Sequence, residues 1–242
     1  MSAKDDLYRQ PHSQLVDFAF DDKVAQVFPD MIRRSVAGYD SVVPLTGLLA
    51  AEHLRTLPDN RHRVYDLGCS LGASTLAVLQ QFPNESLSVV AVDNAQPMLD
   101  RAKAAITDPR VRFACADIRE VSLDPAGVVM LNFVLQFVAP DERDPLLARI
   151  RRCLEPDGVL IIAEKLRFED PAQDRYFDAA HLAFKRANGY SELEISQKRS
   201  ALESVMRIDT ESAHRARFAA AGFGEVRKWF QCLNWVSYLV YC

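Results

Sequence analysis

The sequence predicts an α/β fold: a mostly parallel seven-stranded sheet with an antiparallel last strand, a helical N-terminal region and a helical insertion. Three observations predict it. Apolar runs alternate with amphipathic stretches from about residue 63 to 164, as in successive βαβ units. The stretch Val64-Tyr65-Asp66-Leu67-Gly68-Cys69-Ser70-Leu71-Gly72-Ala73 passes from a strand through a glycine-punctuated turn into a helix. The alternation then stops near residue 166 and resumes at Ser212 with a helix and two strand-like runs.

Residues from about 14 to 57 read as helical, in the amphipathic pieces VAQVF, MIRRSV and PLTGLLAAEHLRTL, with Pro29, Gly38 and Pro44 as breaks. Arg63–Leu67 is the first strand, followed by a helix over Thr75–Gln81. Leu87–Val92 is a strand, Pro97–Ile106 a helix and Val111–Ala114 a strand. Gly127–Phe133 is a continuous apolar run, as in a strand buried on both faces. A helix over Pro140–Leu154 stops at Pro156-Asp157-Gly158, and Val159–Glu164 is the next strand. Residues 166 to 210 are charged and helical, either a solvated insertion or a lid that supplies substrate contacts. Helix Ser212–Ala221 and strands Glu225–Phe230 and Asn234–Tyr241 follow. The chain divides into a helical region (1–57), an α/β core (58–165), the insertion (166–211) and a segment completing the sheet (212–242).

Composition narrows the function classes. Of 242 residues, 49% are apolar, enough for a large core. No long uncharged apolar run is present, so no membrane span is expected. The stretch MSAKDDLYRQPHSQ is charged and lacks the apolar region of a signal peptide. The 5 cysteines are scattered without metal or redox spacing, so free thiols in a reducing cytoplasm and no metal are expected. A net charge of −4 argues against a broad nucleic-acid-binding face.

The chemistry concentrates at the strand ends. Gly68 and Gly72 let the backbone turn tightly and approach a ligand, and amides at the following helix start favour electron-rich atoms. Asp66, Asp93 and Asp117 end successive strands, so they should face one crevice at the carboxyl edge of the sheet. Asp93 is placed to accept both ribose hydroxyls, with Asn94 bordering the adenine. Asp117 suits the exocyclic amine while Ile118 packs the ring, and Asn132 adds a polar tip beside the glycine loop. Any one such aspartate is commonly a helix cap or turn residue; four polar strand ends with a glycine loop together favour a nucleotide-like ligand. Cys69 reads as a packing residue, since no histidine partner is suggested near it.

The dinucleotide fingerprint GxGxxG is not met, because Ser70 stands where its second glycine would be. Asp66, two residues before the first glycine, makes the chain from about residue 60 onward resemble class I S-adenosylmethionine-dependent enzymes. That resemblance implies a Rossmann-like class I methyltransferase fold closed by paired strands.

A closer resemblance spans nearly the whole chain. FDDKVAQVFPDMIRRSVAGY, VYDLGCSLGASTL, VVAVDNAQPML, LNFVLQF and above all FKRANGYSELEISQKRSALE resemble the carboxy-S-adenosyl-L-methionine synthase family. The resemblance implies carboxyl transfer from prephenate to the methyl carbon of S-adenosyl-L-methionine. The products would be phenylpyruvate and carboxy-S-adenosyl-L-methionine. A partner tRNA carboxymethyltransferase would use the latter on a wobble uridine, so this chain itself need not touch nucleic acid. A cytoplasmic homodimer is implied as well. The implied ligand site is Tyr39, Gly68, Cys69, Ser70, Asp93, Asn94, Asp117, Ile118, Asn132 and Arg199.

Arg199 is also the implied catalytic contact. A guanidinium repels a sulfonium but forks onto a carboxylate attached to the transferred carbon. The plainer alternative is a surface arginine paired with Glu192 or Glu194. Lys165, Lys185 and Arg186 are weaker candidates for the prephenate carboxylates, and Tyr190 for a packing wall. His181 and His214 read as structural rather than as bases, so the donor's own hydroxyl would serve as base. Two other functions compete: an ordinary S-adenosylmethionine-dependent small-molecule methyltransferase, and a non-enzymatic cofactor-binding module. Against the first, LNFVLQF offers only Asn132 and Gln136 to position an acceptor.

Overall fold

The seven strands are β1 (Arg63–Leu67), β2 (Ser88–Asp93), β3 (Val111–Cys115), β4 (Ala126–Asn132), β5 (Leu154–Lys165), β6 (Glu225–Cys232) and β7 (Trp235–Tyr241). In the computed structural model, which describes residues 3–11, 18–83 and 85–242, they form one sheet in the order β3-β2-β1-β4-β5-β7-β6. The first five are parallel, and β7 runs antiparallel to both β5 and β6. The sheet is therefore the predicted one. β7 alone is reversed, because it follows β6 through the two-residue turn Leu233-Asn234, a connection that joins antiparallel neighbours.

The period-2 alternation of the strands sorts the core into two layers. Tyr65, Leu67, Val129, Leu131, Leu160 and Ile162 pack on one face against Leu146, Leu147 and Ile150 of helix α5 (Pro140–Cys153) and Phe218 of α8 (Glu211–Ala220). Val64, Val89, Val128, Met130, Val159 and Ile161 pack on the other. Their partners there are Ala50, Ala51 and Leu54 of α2 (Tyr39–Leu54) and Val78 and Leu79 of α3 (Ala73–Gln81). Burying each such side chain contributes roughly 1.5–3 kcal/mol over leaving it exposed. The central strands are thus held by both layers at once, which fixes the edge where their carboxyl ends emerge.

The N-terminal region is less helical than expected. Residues 14–17 of the predicted helical stretch lie outside the described residues, and 18–21 are not helical. α1 (Asp22–Ser35) starts at Asp21, whose carboxylate accepts from the Val24 amide at 2.9 Å. Pro29 and Pro44 do not break helices: each lies inside one, α1 and α2 respectively. An interior proline removes one backbone bond. Both helices offset that loss by burying a face, Val24, Val27 and Met31 in α1 and Val42, Val43 and Ala50 in α2. Gly38 alone divides them, with φ +83.

The stop signal Pro156-Asp157-Gly158 lies inside β5 rather than before it. The β4–β5 ladder changes register between Ala126 and Val128, and that irregularity accommodates residues unsuited to a regular ladder. The insertion folds as α6 (Pro171–Ala187) and α7 (Glu192–Glu203). Asp170 caps α6 through the Ala172 and Gln173 amides, and Ser191 and Glu194 form a capping box on α7. In the alternating series, α4 (Gln96–Ala105) follows β2 and packs Met98 against α1.

Candidate active site

At the carboxyl edge of the sheet a cavity of about 580 Å³ opens, within the ~300–1,000 Å³ usual for small-molecule sites. Its floor is the glycine loop. The Gly68 and Cys69 amides both donate to the Val92 carbonyl, at 2.8 and 2.9 Å, tying the loop to the end of β2. Gly68 has φ +74, and a Cβ there would stand 2.4 Å from Val134 Cγ2. Ser70 takes the left-handed region with φ 51, a conformation that costs a non-glycine residue and clusters at functional sites.

Three carboxylates do local work before any ligand arrives. Asp66 is buried, and its Oδ2 accepts from the Thr75 amide at 3.0 Å and hydroxyl at 2.7 Å, so it joins β1 to the start of α3. Burial pushes its carboxyl up to about 6 against those two bonds. Asp93 accepts from the Ser70 amide at 2.8 Å on one oxygen and the Ala95 amide at 2.9 Å on the other. Burial raises its carboxyl too, opposed by those amides. Each oxygen keeps a second lone pair for a hydroxyl. Asp117 is bound by Arg119, with Nε to Oδ1 at 2.9 Å, which holds its carboxyl low.

Of the ten residues named from the sequence, nine line this cavity: Tyr39, Gly68, Cys69, Ser70, Asp93, Asn94, Asp117, Ile118 and Asn132. Tyr39 begins α2, and burial pushes its phenol up to about 12. Asn132 ends β4, and its Nδ2 donates to Ser74 Oγ at 3.0 Å. Its Oδ1 is buried without a partner among the described residues. Cys69 is buried and its thiol raised by desolvation, which keeps it protonated and unreactive.

Arg199 is the tenth, and it stands elsewhere. It lies on α7 beside Asp178 of α6, Nη1 to Oδ2 at 3.4 Å, and lines a second cavity of about 500 Å³. The alternative pairing with Glu192 is absent, because Glu192 binds Arg186 on the surface. Arg186 thus lines neither cavity, whereas Lys165 and Lys185 line both. Tyr190 is no cavity wall: it is buried under the Arg34 guanidinium, 3.8 Å above its ring, and its hydroxyl donates to Asp5. His214 is buried against Phe218, away from the cavity. His181 lines both cavities, and its Nε2 lies 2.7 Å from the Ser35 carbonyl, which fixes that nitrogen as the donor.

Several contributors escape a reading of motifs. Phe133 follows β4 with φ 62 and meets Tyr39 at 6.0 Å and Trp235 at 5.5 Å, forming an aromatic wall. Glu164 of β5 is 1% exposed and accepts from the Val134, Leu135 and Gln136 amides at 3.1, 2.8 and 3.0 Å. It thereby holds the turn that carries Val134 against Gly68. Lys198 approaches from α7 and meets Ser35 Oγ at 3.0 Å and Asp5 at 3.4 Å. Of these only Lys198 carried a signal in the sequence, as one of four lysines and arginines between 185 and 199 in a segment with few strand residues.

The fold and this site define a class I S-adenosylmethionine-dependent enzyme. A methyltransferase domain model matches residues 64–158. The backbone superposes on human N-acetylserotonin methyltransferase in complex with S-adenosylmethionine. The TM-score is 0.61 at 18% identity, covering 91% of this chain and 55% of that one. A putative O-methyltransferase from Nostoc punctiforme gives 0.63 at 17% identity, covering 91% and 59%. Much closer in sequence is the carboxy-S-adenosyl-L-methionine synthase of Shewanella woodyi, 48% identical over 98% of this chain and 97% of its own. That of Actinobacillus succinogenes is 46% identical over 97% and 98%. The chain belongs to the carboxy-S-adenosyl-L-methionine synthase family and is a transferase.

The residues present fit S-adenosylmethionine. A glycine floor admits close approach, Asn132 offers an unused buried acceptor to an ammonium, and the Tyr39 and Phe133 rings suit a cation.

Proposed function

We propose that this protein converts S-adenosyl-L-methionine and prephenate to carboxy-S-adenosyl-L-methionine and phenylpyruvate. The observation that carries the reading is the pairing of an S-adenosylmethionine cradle with the half-buried Lys165 and the buried Lys185 in one cavity. A methyl acceptor gives no reason for such cations, whereas a dianionic donor does. The donor's C–CO2 bond breaks and its electron pair enters the ring, which aromatises as the hydroxyl leaves as hydroxide with the C–O bond pair. That hydroxide takes a proton from the sulfonium methyl to give water, and the methyl carbon bonds to the released CO2. The chain's residues position the two substrates and exclude water.

Asp93 takes the ribose hydroxyls, Asn94 and Ile118 border the adenine, and Asp117 accepts from its amine while still held by Arg119. Tyr39 and Asn132 face the methionine end. Arg199 exchanges Asp178 for the new carboxylate. The protein acts as a cytoplasmic homodimer and passes its product to a tRNA carboxymethyltransferase that modifies a wobble uridine.

Native mass spectrometry of the protein given S-adenosylmethionine and prephenate tests this. The expected ligand is heavier than S-adenosylmethionine by one CO2, with phenylpyruvate released in equal amount. If only S-adenosylmethionine is ever bound and prephenate is not consumed, the reading fails. Arg199→Ala should weaken the carboxylated ligand by ~10–100-fold, the ~1.5–3 kcal/mol of a charged hydrogen bond, and leave S-adenosylmethionine affinity little changed. Calorimetric titration with both ligands checks it, and equal losses would remove Arg199 from that role.

A further inference from the structure

Three elements bring a compact cationic cluster to one side of the cavity. Lys165 ends β5 and stands opposite Trp235 in the antiparallel β5–β7 ladder. Trp235 is 5% exposed, and its indole N–H has no acceptor among the described residues. The His181 ring meets Trp235 edge-on at 5.8 Å. Lys185 follows His181 by one helical turn, so both side chains share a face of α6.

Lys185 is 9% exposed, and neither it nor the Lys165 ammonium has a hydrogen-bond or ion-pair partner among the described residues. Lys198 differs, being occupied by Asp5 and Ser35. Taking an ammonium out of water without a partner costs several kcal/mol. Burial, then Lys198 and Lys165, hold Lys185 down at about 7. His181, depressed to about 3 by burial and the two lysines, is neutral and adds no charge of its own. Behind the lysines the second cavity adds Arg167, Arg175, Arg199 and Arg207 against Asp174 and Asp178. Two unpaired cations and an unused N–H donor on one side of the cavity make a site for a carboxylate-bearing ligand.

Resting on the carboxyl-transfer reading above, we propose that Lys165, Lys185 and the Trp235 indole N–H bind the carboxylates of the dianionic donor. The Phe133 and Trp235 rings border the same space and receive its carbocycle. The cluster then selects a dicarboxylate over a monocarboxylate. It also leaves the S-adenosylmethionine cradle untouched.

Lys185→Met and Lys165→Met test the site, since methionine keeps the length of the stem without the charge. Each should raise the KM for prephenate at least ~30-fold and change kcat much less, with S-adenosylmethionine affinity within twofold of wild type. Titration of prephenate into protein saturated with S-adenosylhomocysteine, which has no methyl to react, should show binding by wild type and none by either variant. Lys185→Met should melt no lower than wild type without ligand, and Lys185→Arg should recover part of the KM. Wild type that turns prephenate over, with both methionine variants keeping its KM and affinity, overturns this site and leaves the reaction standing. Wild type that neither binds nor consumes prephenate overturns the reaction and the site together.

Discussion

Gly68→Ala is expected to abolish S-adenosylmethionine binding at ligand concentrations that saturate the wild type, and to lower the melting temperature as well. Two costs add at this position. The backbone sits at φ +74, and holding a non-glycine residue there costs on the order of 1–3 kcal/mol. The new methyl group would also stand 2.4 Å from Val134 Cγ2 and 2.9 Å from Cγ1, an overpacking of ~1–3 kcal/mol. Val134 has little freedom to retreat, because its own amide is bound to Glu164 at 3.1 Å. The loop must move instead, and it carries the amides that approach the ligand. Gly222→Ala separates the two effects: φ is +86 there, but nothing lies within 4 Å of a new Cβ. That variant should lose ~1–2 kcal/mol of stability and bind normally. Thermal melts with and without S-adenosylmethionine read both, and a Gly68→Ala protein that binds at wild-type affinity would show that the Gly68–Val134 contact does not shape the cradle.

Glu164→Ala should be among the most damaging single substitutions in the chain. It would leave the Val134, Leu135 and Gln136 amides without their acceptor in a buried turn. Unsatisfied buried donors cost ~1–3 kcal/mol each, so the loss is on the order of 5 kcal/mol, against a total stability of ~5–15 kcal/mol. Little soluble protein is expected. Glu164→Gln keeps the shape and removes the titration. Burial pushes the Glu164 carboxyl up to about 8, opposed by the Leu135 and Gln136 amides and the Arg143 charge. Through that window the folded protein holds a proton that the unfolded chain has released. The stabilisation is therefore full below the ordinary carboxylate range and is lost as pH climbs through about 8. Urea unfolding between about pH 5 and 8 should show the wild type losing stability relative to Glu164→Gln. A constant difference would mean that the three amides keep Glu164 ionised throughout.

The positions that chemistry and pattern both mark were legible in the sequence. Gly68, Gly72 and the strand-end acids announce a ligand loop because few other uses combine glycine freedom with a carboxylate at that spacing. The sheet was legible because strands buried on both faces read as unbroken apolar runs. Pro29 and Pro44 misled because tertiary packing outweighed a local penalty that looks decisive in isolation. Glu164 and Trp235 stayed hidden for a different reason. Nothing in a one-dimensional pattern says that a glutamate inside an apolar strand will gather the amides of a turn 28 to 30 residues earlier. The lysines of the insertion were visible as charge. Their burial was not, because it depends on α6 and α7 lying across the cavity rather than in solvent.

The position of β7 has a consequence for how the protein is made. β7 fills an interior slot between β5 and β6, yet its Ser237 bonds to a β5 carbonyl 75 residues earlier. On a ribosome moving at ~5–20 residues per second, β5 therefore waits about 4–15 s with an open hydrogen-bonding edge. During that interval the nascent sheet is a template for pairing with other chains. Because Trp235 arrives with the same strand, the cavity wall is finished only when that edge closes. Assembly of the sheet and completion of the site are one kinetic event, so a chaperone that shields the β5 edge would also govern the yield of competent enzyme.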